Sequence, residues 1–227
     1  MADEALIRNA LKLAVKDLVI EARRAHEFMS ILAFALSSIL ISSFAWRGVL
    51  VLSPEVISAT LWIVVYFSSI LTLTTSFARE VDRGTIEGLR SLPCSSYAIL
   101  LGKVLYGAVV LFTVMVATIL SATLFLNIEL SVVPSLFVVF VMGVIDLAII
   151  GSIVSAIVMY SEGKTLLLSF LFFPVSVPIL LPGTQAVGKV ISGAGLLEVM
   201  PELRLLLAFL LAIVAVSMLL FRHVFLE

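Results

Sequence analysis

The chain has 227 residues, of which 62% are hydrophobic and 13% charged, with a net charge of −1. Soluble domains carry about a quarter charged residues, so this composition excludes a water-soluble globular fold and makes lipid the solvent for much of the surface. A single cysteine, Cys94, excludes an internal disulfide framework and a cysteine-based zinc site.

In chain order, residues 4–26 read as a helix lying in the membrane interface. Arg8, Lys12 and Lys16 repeat every fourth residue, and Ile7, Leu11, Val15, Leu18 and Ala22 form an apolar stripe beside them. The alternative is a juxtamembrane anchor that only fixes topology. The N-terminus is charged throughout and does not read as a cleavable signal peptide. A transmembrane helix needs roughly 20 consecutive apolar residues, and six stretches meet or approach that: 28–46, 56–78, 104–126, 132–159, 165–181 and 205–221. The fold class is therefore an all-α integral membrane protein, read as a single domain over 1–227.

Lysine and arginine fix the orientation. With six spans, eleven fall on the side of the N-terminus, the 79–103 connection, Lys164 and Arg222. The other three, Arg47, Lys189 and Arg204, fall opposite. Both termini are expected in the cytoplasm, with the chain in the cell (inner or plasma) membrane.

Between the second and third spans lies the longest charged connection. Arg79, Arg83, Glu87 and Arg90 share one helical face, and Val81, Thr85, Leu89 and Leu92 the opposite one. The spacing predicts a short helix flat on the membrane, ended by Pro93, that hands force from a soluble partner to two spans; the alternative is a solvated loop. Asp146 is the only acid deep in a span, which makes it a proton or cation site or a polar helix contact. No basic residue lies in another span to meet it, so it is expected to be protonated or bonded to hydroxyls such as Ser152 or Ser155.

Pro174, Pro178 and Pro182 recur every fourth residue and free the carbonyls of Phe170, Pro174 and Pro178. They read as a bent helix in a moving or substrate-facing part, or as a kink ending a span. Residues 183–202 are expected to form a short re-entrant hairpin. Within them, 183–190 nearly spells a phosphate-binding loop, but Val190 stands where Ser or Thr must reach magnesium and no strand precedes it. The chain thus has no nucleotide site of its own. His26 and His223 make no spaced metal-ligand set, and no catalytic constellation is present.

The run from Glu80 through Gly84, Thr85, Glu87, Leu89 and Pro93 to Gly102-Lys103, with Phe173-Pro174 and Pro178 in the fifth span, resembles the haem exporter protein B (CcmB) permeases of the cytochrome c maturation ABC transporter. These belong to the ABC-2 type permeases. Asp146 departs from that family's apolar fourth span, and Pro182-Gly183 extends its proline pattern. The resemblance implies a permease that couples through Glu80, Gly84, Thr85, Glu87, Leu89, Pro93 and Lys103 to a separate ATP-binding subunit. It further implies a homodimer, a haem chaperone and other cytochrome c maturation membrane proteins as partners. ATP is then bound by the partner, haem by partner proteins, and no cofactor or nucleic acid by this chain itself. The rival readings are an ABC-2 permease for a lipid, glycan or drug, and a proton-coupled carrier using Asp146.

Overall fold

A computed structural model describes residues 2–23, 25–46, 53–92 and 94–226. It contains α1 (Ala2–Arg23), α2 (Ala25–Ala45), α3 (Pro54–Asp82), α4 (Ile86–Arg90) and α5 (Ser96–Phe125). A 3₁₀ turn at Leu130–Val132 leads into α6 (Val133–Val158), followed by α7 (Lys164–Ile191) and α8 (Met200–Leu226). No strand occurs among the described residues. Helices alone satisfy every backbone donor and acceptor within one segment, which is what hydrocarbon demands. Six helices (α2, α3, α5, α6, α7 and α8) are long and apolar enough to cross a membrane.

Two spans differ from the sequence expectation. The third span, α5, starts at Ser96 rather than 104, because Ser95 is extended and its hydroxyl accepts the Ala98 N–H as an N-cap. The fifth runs unbroken through its three prolines to Ile191, so 183–191 is helix and no re-entrant hairpin forms over 183–202. Four-residue spacing confines the missing donors to one side of α7, where Pro174 and Pro178 are exposed, and the remaining ladder carries the helix on. It ends only where Gly193, at φ +94°, turns the chain and returns the Ala194 N–H to the Lys189 carbonyl.

The core lies between α3, α5, α6 and α7. Trp62 stacks on Phe140 with centroids 4.9 Å apart, and Tyr66 stacks on Phe172 at 5.5 Å. Lipid offers apolar side chains no reason to leave it, so helix association rests on close packing at small residues. Gly143 and Gly183 form the two walls of the slot that holds the Trp62 indole. An added Cβ would sit 2.2 Å and 2.4 Å from its ring carbons, respectively. Leu73 fills a matching space at Gly151. Leu120, Leu124 and Phe170 point outward, as residues solvated by acyl chains do.

Gly143→Val is therefore expected to displace the indole and cost about 1–3 kcal/mol. Thermal unfolding in detergent reads the loss, and adding Trp62→Leu should recover much of it. An unshifted melting curve for the single variant would contradict the packing.

Candidate functional site

One end of the bundle gathers most of the chain's charge. Lys103, in the second turn of α5, has a side chain only 5% exposed. Its ammonium lies 2.9 Å from Asp17 Oδ2 and 3.2 Å from Glu80 Oε1, and donates to the Ser76 carbonyl at 3.1 Å. Lys16 shares both acids, 2.8 Å from Glu80 and 3.2 Å from Asp17. Burial works against the Lys16 ammonium, but its hydrogen bond to Glu80 and the charges of Asp17 and Glu80 outweigh it and raise its pKa. A second knot joins Arg79 to Glu21 at 2.6 Å and Glu27 at 2.9 Å, while Tyr106 donates to the same Glu21 carboxylate at 2.8 Å.

These pairs fasten α1 along α5 and against the end of α3. Contact is close because Gly102 has no side chain: a Cβ there would meet Leu13 Cβ at 2.8 Å and the Ala10 carbonyl at 3.0 Å. The face of α1 buried against the protein is Ala10, Ala14, Asp17 and Glu21, leaving Ile7, Leu11, Val15 and Val19 as an exposed apolar stripe.

The connection after α3 is not one helix over 80–93. α3 continues through Asp82 and stops in a Schellman turn, in which the Gly84 N–H reaches the Val81 carbonyl and the Thr85 N–H the Glu80 carbonyl. Gly84 takes the required left-handed conformation at φ +65°, with open space around it, so its role is the turn rather than close backbone approach. That turn resets the helical register. Ile86 and Leu89 of α4 face inward, onto a small core with Phe77, Ile99, Leu100, Ile153 and Met159, while Glu87 and Gly88 face out. The Thr85 hydroxyl donates to Glu80, and Lys164 at the start of α7 pairs with Asp82.

Of the residues expected to couple to a partner, Gly84, Thr85 and Glu87 are exposed, whereas Glu80, Leu89 and Lys103 are held within the chain. Pro93 lies outside the described residues. Asp17, Glu21 and Tyr106 complete the site with Arg79, which the sequence placed on the charged face of the connection; the other three were not singled out from sequence. The available signal was the spacing of Ala10, Ala14, Asp17 and Glu21, a face too small and too acidic to meet lipid. Asp146, Pro174, Pro178 and Pro182 are not part of this cluster. Asp146 is fully buried in α6, and neither carboxylate oxygen bonds to a described residue. Ser152 is likewise unbonded, and Ser155 accepts the Phe77 N–H instead, so the expected hydroxyl partners do not meet it.

Lys103→Met should cost about 1.5–3 kcal/mol, the scale of hydrogen bonds to charged groups, since Lys16 still pairs both acids. Thermal unfolding should show part of that loss recovered by Lys103→Met with Asp17→Leu, which removes the surplus buried carboxylate left when two acids share Lys16 alone. Asp146→Leu, by contrast, should leave membrane levels and melting unchanged or improved, because it removes a buried polar group without stranding a partner. A fall of several degrees would show that the carboxyl has one.

Against families of known proteins, the model for the CcmB protein matches residues 8–225, nearly the whole chain. A search of curated proteins gives no match. The chain belongs to the CcmB family: it is the multi-span haem exporter permease of a cytochrome c maturation ABC transporter, whose ATPase is the partner subunit CcmA.

Proposed function

We propose that the α1–α4 end of the bundle is cytoplasmic and is where the ATPase drives the permease. In this reading α1 lies in the inner-leaflet interface, both termini are cytoplasmic and α4 is the coupling helix. Two copies of the single-domain chain sit over two ATP-binding subunits. Haem stays with a chaperone and other maturation proteins outside the membrane, and this chain binds no cofactor directly.

The observation that carries the reading is the seating of α4. Its two inward side chains, Ile86 and Leu89, belong to one buried cluster with Phe77 of α3, Ile99 and Leu100 of α5, and Ile153 of α6. A push on α4 therefore reaches three spans together. Supporting it, eleven of the fourteen basic residues lie on this side, and α1 has the exposed apolar stripe flanked by Arg8 and Lys12 that an interfacial helix needs. Of the coupling residues, Thr85 and Glu87 are accessible to a partner, Gly84 sets the turn, and Glu80, Leu89 and Lys103 brace α4 from within. The proline face of α7 is the bendable element downstream.

The test has two arms. With Cys94 replaced, single cysteines at Thr85, Asn127 and Ser192 should react with an impermeant maleimide from inside only at Thr85; inside labelling of Asn127 overturns the orientation. Glu87→Arg should keep normal membrane levels yet lose ATPase co-purification, a mismatch on the order of 2–5 kcal/mol. Full retention and coupling of the ATPase in that variant overturns the role of α4.

A further inference from the structure

As a sequence, α1 has no net charge: Asp3, Glu4, Asp17 and Glu21 balance Arg8, Lys12, Lys16 and Arg23. The fold separates the two signs. Asp17 and Glu21 are buried and paired with Lys103 and Arg79, and Lys16 is drawn in to Asp17 and Glu80. Arg8, Lys12 and Arg23 stay exposed and make no ion pair among the described residues. From Arg8 to Arg23 both acids are spent inside, so the outer surface of that stretch is positive.

Helical geometry fixes where this charge lies. At about 100° per residue, the row of Arg8, Lys12 and Arg23 is roughly opposite the buried face of Ala10, Ala14, Asp17 and Glu21. The stripe of Ile7, Leu11, Val15 and Val19 falls between them, roughly 110° from the buried face and 75° from the bases. At 1.5 Å per residue the row extends about 22 Å along the helix. A groove of about 570 Å³ runs where stripe and row meet, with Ile7, Leu11 and Val15 on one side, Arg8 and Lys12 on the other and Glu4 at its end. With the bundle against one flank of α1 and the apolar stripe underneath, the bases stand on the far flank, at the height of the headgroups.

We propose that this far edge of α1 is a binding surface for anionic phospholipid. Headgroups of net negative charge lie along Arg8, Lys12 and Arg23, and their acyl chains cover Ile7, Leu11 and Val15. This rests on the interfacial placement of α1 proposed above and adds the class of lipid. Charge complementarity selects the occupant: a zwitterionic headgroup brings no net charge, whereas each base near an anionic surface is worth a factor of about five. The apolar stems of arginine and lysine reach along the stripe while their cations stay among the headgroups.

The experiment uses the full chain with its ATPase in membranes of equimolar phosphatidylglycerol and phosphatidylcholine. A benzophenone amino acid is placed at Leu11 or, as the reference for bulk lipid, at Leu120 on the exposed face of α5. Mass spectrometry of the adducts gives the ratio of the two lipids at each position. The phosphatidylglycerol ratio at Leu11 should exceed that at Leu120 about fivefold or more, and should fall to it when Arg8→Gln, Lys12→Gln and Arg23→Gln are combined. Arg8→Lys with Arg23→Lys keeps the charge and should hold the enrichment within about twofold. Thermal unfolding in detergent should be unchanged in both, because none of the three side chains is paired within the chain; a lowered melting temperature in the triple variant gives the bases an internal partner and overturns the surface. Lipid adducts at Leu11 with the Leu120 ratio overturn the anionic surface and leave α1 in the interface. An enrichment that survives the triple substitution does the same. Protein adducts at Leu11 in place of lipid overturn the interfacial placement as well.

Discussion

A lysine ammonium placed almost out of reach of water must find carboxylates, and the organisation of this permease at its charged end follows from Lys103. Desolvating an isolated ammonium costs several kcal/mol even after relaxation. Asp17 and Glu80 meet that demand from two different helices. Asp17 brings α1 against α5, and Gly102 provides the space for it. The Glu80 side chain pairs with Lys103 and Lys16, and its carbonyl accepts from Thr85 in the turn that Gly84 makes and α4 follows. A single buried cation therefore aligns α1, two spans and α4.

The membrane-embedded half is organised by shape instead. Trp62 between Gly143 and Gly183, and Leu73 at Gly151, join α3, α6 and α7 through contacts that tolerate little displacement. Motion delivered at the α4 end thus meets a packed body rather than a loose set of helices. That suits a subunit driven by a separate ATPase: under the coupling role proposed for α4, an input at one small element is shared by several spans.

Most of the fold was legible from sequence because uncharged runs of span length have few alternatives in lipid. The misread ends have specific causes. Ser96–Lys103 carries polar residues, so composition located the hydrocarbon boundary at 104 and not the Ser95 cap ahead of them. The prolines of α7 suggested a span end, yet only the donors on one side are missing. The 79–93 connection kept a four-residue period on paper, but Gly84 resets the phase, and Leu89 consequently faces its own chain. Glu80 and Lys103 were recognisable through the family resemblance, while their true neighbours were not. Asp17 and Glu21 are 63 and 58 residues from Glu80 and Arg79, and only the folded chain brings them together. The family itself was readable because its motif combines turn chemistry, charge and proline in one short stretch.

The distance in sequence between Asp17 and Lys103 has a consequence for how the protein is made. At about 5–20 residues per second, some 4–17 s of translation separate the two residues, 86 positions apart. During that interval α2 and α3 are inserted while Asp17 and Glu21 have only Lys16 and Arg79 to answer them. With α1 in the interface as proposed, its apolar stripe would hold it on the bilayer surface until α5 arrives, so the amphipathic N-terminus would serve first as a waiting station for nascent chain and only later as a strut.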